Sequence, residues 1–506
     1  MLKRVQYRDL SVDDRDAAVR IADADFPVPF SHRLEFNAPV HGTWNIVHIG
    51  LLVPECHQIY VCADNCMRGV VLTAAEMGAG DRFSSVLIEE NDLYDGNLET
   101  ITIEGVSDAI RRLPYRPRAV AVFLVCLHHF VGTDAAYVFS TLEERFPDID
   151  FMRCWMDPVM QKTGLTPEQK LKESMFRPVR PLPMDPGLVC VLGDNQALDP
   201  DSDIAKIVRE AGSRILQLHD WKQHGERIGI SSLQRADKEG GAGDEYSFMT
   251  SCRTYEDYLQ IGAAGLFITR SPLGIHGVSQ LAKRLGRPFL YLPPVCTDRE
   301  IREQTAELSR LLREIREQAD RPGSPSPDGE NESMNAAKRT PEEAPVSGPV
   351  SAAEAEAALA HARALIGDTE ITIDYILNPR VLNLARRLLE SGFHVTRIYL
   401  DAILPEEEKD FEWLCHNCPE LLLNATIHPK MRVLHNPDKT GRMLALGPKA
   451  AWFGGTDHFV NLVDYGGIWG NSGLVKLAAL MEDAYLHEKD TRSIVPRKGQ
   501  GCACVL

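Results

Sequence analysis

Apolar and polar positions alternate along the chain in blocks whose lengths suit strands and helices in turn. In the first third of the chain, short apolar runs lie at 45–53, 57–61, 83–88, 119–125 and 150–155. Segments with helical spacing of apolar residues separate these runs, at 67–77, 104–112 and 135–145. Strands that alternate with helices of this length are typical of βαβ units, so this pattern predicts a parallel sheet covered by helices.

The same alternation returns twice further along the chain. We therefore predict an α/β fold of three tandem Rossmann-like domains with parallel sheets, at 45–185, 186–318 and 351–490. Residues 319–350 are rich in Pro, Gly, Ser and Glu, a composition typical of a linker. An N-terminal extension (1–44) and a C-terminal tail (491–506) complete the predicted division.

Composition and charge exclude several classes of protein. Hydrophobic residues make up 44% of the 506 residues, and no uncharged apolar run approaches the roughly 18–20 residues of a membrane span. The formal net charge of −17 argues against a general nucleic-acid-binding protein. The first residues lack the apolar stretch of a signal peptide, so we expect a cytoplasmic protein without nucleic-acid or membrane partners.

Twelve cysteines give the chain its most informative chemistry. A reducing cytoplasm disfavours a disulfide framework. Cys62, Cys126 and Cys154 each lie at the end of a predicted strand, and Cys66 follows at the start of a predicted helix. Because the carboxyl ends of parallel strands meet at one edge of a sheet, we expect these thiols to gather there.

Thiolates gathered at one edge suit an iron–sulfur cluster or zinc, although cysteines in apolar strands also serve as plain core residues. The Cys62-x-x-x-Cys66 spacing together with Cys126 favours a metal site, with Cys154 as a further metal ligand. Cys56, Cys154 or a partner chain are the candidates for the fourth ligand of a cluster. The Cys415-x-x-Cys418 pair has no second pair to complete a zinc site and is interpreted as structural.

Two common catalytic motifs are missing from the sequence. No GxxxxGK[ST] segment occurs, so this chain does not hydrolyse ATP through a P-loop. No GxSxG segment occurs either, which removes the nucleophile elbow of the α/β-hydrolases.

Four segments carry a family resemblance. They are VCADNC before a helix (61–66), CLHHFVGTD (126–134), PLGIHGVSQLAKRLGRPFLYLPP (272–294) and LVDYGGIWGNSG (462–473). In this order they resemble segments of nitrogenase component 1 and its relatives, the reductases of the bacteriochlorophyll and nickel tetrapyrrole pathways. The resemblance covers about residues 40–485. It implies three Rossmann-like domains with a cluster at the edge of the first, held by Cys62, Cys66 and Cys126.

The departures from the family pattern bear on the substrate. The family's first cluster cysteine has no counterpart near 38–42, and Cys62 could substitute for it. The resemblance places Arg270 where nitrogenase has its cofactor cysteine, and Asn461 where it has its cofactor histidine. A guanidinium has no free lone pair and an amide is a poor ligand for soft iron, so we expect a substrate other than dinitrogen.

A cleft between the three domains is the implied catalytic site. We predict that it is lined by Arg270, His276, His458, Asn461, Tyr465 and Trp469. Arginine and histidine side chains suit an anionic substrate or cofactor and the delivery of protons during a reduction.

The leading hypothesis is therefore an iron–sulfur oxidoreductase component with a 4Fe-4S or larger cluster. The resemblance implies a separate ATP-dependent reductase, similar to the nitrogenase iron protein, as the electron donor, and a homo- or hetero-oligomer. A further metallocofactor of unknown identity stays open. The alternatives are a non-catalytic scaffold for metallocofactor assembly and a metal-free sensor or binding protein of the same fold.

Overall fold

The computed structural model describes residues 17–30, 46–76, 78–156, 165–219, 247–319, 348–426, 442–462 and 468–489. Their strands are β1 (Ala18–Arg20), β2 (Cys56–Cys62), β3 (Phe83–Leu87), β4 (Ala119–Val125), β5 (Asp150–Met156), β6 (Asp185–Val191), β7 (Arg214–Gln217), β8 (Met249–Ser251), β9 (Ala264–Thr269), β10 (Phe289–Tyr291), β11 (Glu370–Asp374), β12 (Val395–Leu400), β13 (Leu422–Ala425), β14 (Met443–Leu446) and β15 (Phe459–Val460).

Helices connect these strands and cover the faces of the sheets. They span Ile46–Gly50, Asp64–Glu76, Glu90–Tyr94, Leu98–Arg112, Cys126–Phe130, Ala135–Arg145, Pro167–Met175, Asp203–Glu210, Tyr255–Leu259, Ile275–Leu285, Asp298–Ala319, Ala352–Ile366, Val381–Glu390, Glu408–Asn417, Pro448–Gly454 and Gly470–Leu486. In the part of the chain that the structure describes, no helix is both long enough and apolar enough to cross a membrane.

The first sheet has the strand order β3-β2-β4-β5, and all its pairings are parallel. Strand β2 is buried along its whole length because helices pack on both faces. Ile59 and Val61 face the cluster that contains residues of the helices 98–112 and 135–145. Tyr60 and Cys62 face the opposite way, toward residues of the helices 64–76 and 167–175.

The second and third sheets share one topology. Their orders are β10-β9-β6-β7-β8 and β1-β13-β12-β11-β14-β15. In each sheet the two strands that follow the first one in the parallel series (β6 or β11) are added on one side of it. The next two strands are added on the other side. The order therefore reverses between β6 and β9 and again between β11 and β14, the places where α/β sheets open a crevice for ligands.

Contacts at the carboxyl edges hold the second and third sheets together. Leu273, which follows β9, packs with Leu404, which follows β12, and both side chains are buried. The Asn383 side-chain oxygen also accepts a hydrogen bond from the backbone N–H of Cys296 at 2.8 Å. These contacts bring the two edges into one interdomain region.

The predicted α/β class with several parallel sheets is confirmed, whereas the predicted domain boundaries stay predictions. Two local expectations differ from the structure. Part of the apolar run at 45–53 forms a short helix, Ile46–Gly50, and the first strand of this sheet starts only at Cys56. The N-terminal extension also contributes β1, which pairs antiparallel with β13 and so extends the third sheet. The predicted linker (319–350) and tail (491–506) lie largely outside the described residues.

Candidate functional site

Two cysteines share the carboxyl edge of the first sheet because their strands are neighbours. Cys62 is the last residue of β2, and Cys126 directly follows β4. The two strands are parallel, and their register pairs Tyr60 with Phe123, so they end side by side. This edge is the place where the fold presents side chains to a ligand.

Cys66 joins this pair from the first turn of the helix Asp64–Glu76. Burial raises the pKa of the Cys62 thiol to about 12, and the nearby Cys66 adds to that shift. Burial and the nearby Cys126 raise the pKa of the Cys66 thiol. Because such repulsion between thiolates acts only over short distances, the three thiols form one group, called the thiol triad below.

The thiol triad fits an iron–sulfur cluster better than a single ion. Among the described residues, no group of three or more His, Cys, Asp or Glu side chains is placed to hold one metal ion. A cluster of several irons and sulfides is larger and takes thiolates that stand further apart. The mutual repulsion of the three thiols would be relieved by the cationic iron, which deprotonates a coordinating thiol.

Two further cysteines that were considered as ligands lie elsewhere in the sheet. Cys56 begins β2, so it lies about 20 Å from the end occupied by Cys62. The expectation that Cys154 ends its strand is wrong, because β5 continues to Met156 and Cys154 pairs with Phe123. Burial raises the pKa of the Cys154 thiol well above its ordinary value, with a contribution from Cys56. The structure therefore gives Cys154 a place in the core.

Two histidines follow Cys126 and shape the turn beside it. The His128 Nδ1 accepts a hydrogen bond from the Val125 backbone N–H at 3.2 Å, and its Nε2 lies 3.2 Å from the Thr102 hydroxyl. Burial lowers the pKa of His128 to about 4, so its ring is neutral at pH 7. His129 stacks on Trp155, with the ring centroids 4.0 Å apart. These contacts fix the turn that carries Cys126.

Three exposed apolar side chains lie close to the thiol triad. Leu87 ends β3, pairs with Cys62 in the sheet register and is 51% exposed. Phe130 and Val131 follow Cys126 within five residues and are 64% and 45% exposed. Exposed apolar side chains beside a ligand-binding edge suit contact with another protein.

Arg270 lies at the carboxyl edge of the second sheet, immediately after β9. Its Nε donates to the Asp194 carboxylate at 2.9 Å, and its Nη2 donates to the Gln196 carbonyl at 3.0 Å. Both charged side chains are almost completely buried. A guanidinium held in this way orients its neighbours and offers no lone pair to a metal.

The structure shows other partners for three of the residues predicted to line the cleft, and it places a fourth. His276 binds the Glu173 carboxylate at 3.0 Å near the surface. His458 precedes β15, and its Nδ1 lies 2.9 Å from the Ala484 carbonyl. Asn461 is exposed after β15, and Trp469 is buried with its Nε1 donating to Gln304 at 2.8 Å. Tyr465 lies outside the described residues.

A polar site at the reversal point of the third sheet was missed by the sequence reasoning. Lys449 follows β14, and its Nζ donates to the Tyr375 hydroxyl at 2.7 Å and approaches the Thr426 hydroxyl at 3.4 Å. Asp374 ends β11 and accepts hydrogen bonds from the backbone N–H groups of Ala450 and Ile376. Burial raises the pKa of Asp374 to about 6. The signal was present in the Gly-Pro-Lys segment that follows an apolar strand.

Comparisons with known proteins agree with the α/β fold described above. No family model matches the chain, and no curated protein matches it either. A solved structure of nitrogenase Cp1 at pH 6.5 is similar with a TM-score of 0.57, at 12% sequence identity, over 90% of this chain and 94% of that one. A second, nitrogenase Cp1 at pH 5, has a TM-score of 0.50 at 12% identity. The chain has a nitrogenase-like fold.

Proposed function

We propose that this chain is the cluster-holding component of a nitrogenase-like reductase. The observation that carries the proposal is the thiol triad, in which Cys66 lies near both Cys62 and Cys126 at one sheet edge. Three reduced thiols at the ligand-binding edge of a parallel sheet are suited to hold iron. The nitrogenase-like fold supports the same reading.

The chain's own residues would hold an iron–sulfur cluster of the 4Fe-4S type or larger through the triad. Such a cluster supplies one-electron transfer when bound. Cys62 enters from the end of β2, whereas Cys66 and Cys126 each lie in the first turn of a helix.

A partner would complete the site and deliver the electrons. The exposed Leu87, Phe130 and Val131 beside the thiol triad suit another subunit, which could also supply the remaining cluster ligand. The sequence contains no P-loop, so the energy of ATP hydrolysis would come from a separate reductase resembling the nitrogenase iron protein.

The substrate would bind in the interdomain region where the edges of the second and third sheets meet. Among the described residues, the two positions that the resemblance assigns to cofactor ligands do not fit a second metallocofactor, because Arg270 is bonded to Asp194 and Asn461 is exposed after β15. We therefore propose reduction of a substrate other than dinitrogen. Contact of Arg270, His276, His458, Asn461 or Tyr465 with that substrate stays part of the proposal.

Iron and acid-labile sulfide per chain, measured on protein purified without oxygen, test the proposal. We expect about two to four irons per chain, and loss of most of this iron in Cys62→Ala, Cys66→Ala and Cys126→Ala. Cys418→Ala is the matched control, because Cys418, like Cys66 and Cys126, is half-buried but follows the helix Glu408–Asn417, far from the triad along the chain. Iron that survives all three triad variants, or no iron after anaerobic reconstitution, would overturn the proposal.

The same samples separate a reductase from an assembly scaffold. A reductase holds its cluster while it is reduced and reoxidised, whereas a scaffold hands the cluster on. We expect the iron content to stay constant through repeated reduction by dithionite and oxidation by a mild dye. Transfer of the iron to an apo-acceptor protein under these conditions would favour the scaffold.

A further inference from the structure

A buried ion pair lies where the first domain meets the second sheet. Lys172 and Glu168, one turn apart on the helix Pro167–Met175, are bonded at 2.7 Å, and both side chains are almost inaccessible to solvent. Asn195, in the loop after β6, donates from its Nδ2 to the same Glu168 oxygen at 2.9 Å. One carboxylate oxygen therefore takes both of these hydrogen bonds.

The other acceptors of this group have no hydrogen-bond partner among the described residues. In this part of the chain, the second Glu168 oxygen (Oε2) and the Asn195 side-chain oxygen (Oδ1) are both buried and unpaired. Glu168 is 5% exposed and Asn195 is 3% exposed, so bulk water does not reach them freely. An unpaired buried acceptor costs about 1–3 kcal/mol, so two that belong to bonded neighbours call for a donor group at this point.

The group lies at the reversal point of the second sheet, the place where α/β sheets bind ligands. Asn195 follows β6, and the neighbouring strands β7 and β9 end at Gln217 and Thr269. The Gln217 Nε2 and the Thr269 hydroxyl are also buried and, within the described ranges, unpaired. Gln217 and Thr269 can therefore each donate a hydrogen bond at the same sheet edge, to a ligand that carries an acceptor in addition to its own donors.

Charge decides what kind of molecule fits. Lys172 balances Glu168, and Arg270 balances Asp194, so each buried pair is neutral as a unit. A charged ligand would lose its hydration without gaining a counter-charge, and that loss is costly in a buried site. A neutral group with N–H donors and a carbonyl acceptor meets the unpaired atoms without this cost.

We propose that Glu168 and Asn195 bind a neutral carboxamide or urea group of a small organic molecule. The N–H donors of the group are held by Glu168 Oε2 and Asn195 Oδ1, and its carbonyl oxygen accepts from Gln217. Binding at this site does not depend on the thiol triad. Reduction of the bound molecule rests on the proposed function.

Titration of the full chain with propionamide, followed by saturation-transfer NMR, tests the assignment. Propionate and ethylammonium, which have a similar size and carry a charge, are expected to bind at least 10-fold more weakly than propionamide. Asn195→Leu and Glu168→Gln each remove an acceptor, and we expect the affinity for propionamide to fall at least 10-fold in both. Glu173→Gln, on the surface of the same helix, is the matched control and should leave the affinity unchanged.

If propionamide does not bind, or binds equally to the wild type and to Asn195→Leu, trapped water satisfies these atoms and the site is structural. Glu168→Gln leaves Lys172 without its counter-charge and could unfold, in which case Asn195→Leu alone decides. Iron measured on the same samples shows separately whether the thiol triad is loaded, so the two proposals fail independently.

Discussion

The guanidinium of Arg270 donates to the carboxylate of Asp194 at 2.9 Å, and both side chains are almost fully buried. A buried charge that loses its partner is far more costly than a pair that is absent altogether. The pair therefore contributes to the structure of the interdomain region whether or not it contacts a substrate.

We expect the loss of one member of this ion pair to lower the free energy of unfolding. Arg270→Met leaves the Asp194 carboxylate buried without its counter-charge, although the backbone N–H of residue 270 still donates to it, so we expect a loss of about 3–5 kcal/mol. The double variant Arg270→Met/Asp194→Leu removes both charges and should recover at least about half of that loss. Urea unfolding monitored by circular dichroism measures both values. Equal losses in the single and double variants would show that the charge pair is not the cause.

Acid sensitivity follows from a buried histidine in the first sheet. Burial, with a smaller effect of the Arg82 charge, lowers the pKa of His57 to about 4. The unfolded chain takes up this proton near pH 6.5 and the folded chain does so only near pH 4. Stability is therefore lost as the pH falls through this window, by up to about 3 kcal/mol for this residue.

His57→Gln tests the contribution of that residue. The variant removes the titrating ring, so its stability should fall less than that of the wild type between pH 6.5 and pH 4. Thermal unfolding midpoints at half-unit pH steps give both curves. His128, which has the same direction of shift, is unchanged in both proteins and cancels in the comparison. Parallel curves would rule out this role for His57.

A buried glutamate in the third domain predicts the opposite dependence on pH. Burial raises the pKa of Glu407 to about 8, although Arg380 lies near it. The folded chain keeps this proton between about pH 4.5 and pH 8, whereas the unfolded chain has lost it, so the residue destabilises the protein as the pH rises through that window.

Glu407→Gln should therefore stabilise the protein at alkaline pH. One Glu407 oxygen accepts the backbone N–H groups of Leu382 and Asn383 at the start of a helix, and a glutamine oxygen can accept them too. We expect little change at pH 5 and a gain on the order of 2–3 kcal/mol at pH 8.5. Unfolding at the two pH values measures the difference. A variant that is less stable at both would show that the carboxylate itself is needed.

The sheets could be predicted from the sequence because the central strands contain short apolar runs, such as 119–125 and 264–268, that lie between helical segments. Shorter elements were missed for a physical reason. Strands β13, β14 and β15 have two to four residues each, too few for periodicity to identify them. Strand β1 pairs with β13 across about four hundred residues, and no local pattern reports so distant a partner.

Some residues of the candidate sites could also be predicted from the sequence, whereas others could not. Cys62 and Cys126 were placed correctly at one edge of a parallel sheet because adjacent strands end together. Cys154 was misplaced by two residues, since the end of an apolar strand carries no marker in the sequence. Lys172 and Lys449 were missed because a lysine looks like a surface residue until its partners in other segments are known.

A close contact joins the helices Pro167–Met175 and Ile275–Leu285. A Cβ at Gly277 would lie 2.6 Å from the Lys172 carbonyl oxygen, a backbone atom of the helix Pro167–Met175. Gly277→Ala must therefore push the two helices apart, and we expect a loss of about 1–3 kcal/mol.

Gly69→Ala provides the control for this substitution. Gly69 lies inside the helix Asp64–Glu76, and among the described residues no neighbouring atom lies within 4 Å of the position that an alanine Cβ would take. Alanine should therefore stabilise that helix by about 1 kcal/mol. The two variants make the same chemical change and should shift the unfolding midpoint in opposite directions. A stable Gly277→Ala protein would mean that the helices can separate without loss.

Thiol labelling distinguishes the triad from the core cysteines without a measurement of activity. Cys66 and Cys126 are half-buried, so iodoacetamide should modify them after the iron is removed by a chelator and spare them in the iron-loaded protein. Cys154 and Cys190 should stay unmodified in both folded states, because burial raises the pKa of each thiol well above its ordinary value.

Cys418 is the internal reference for this experiment, since it is half-buried far from the triad along the chain and should react equally in both states. Peptide mass spectrometry reports the modified fraction of each cysteine in a single sample. Because an iron-bound thiolate is shielded from alkylation, protection restricted to Cys66 and Cys126 would tie the iron to these two residues. Equal modification of Cys66 and Cys126 with and without iron would place the metal elsewhere.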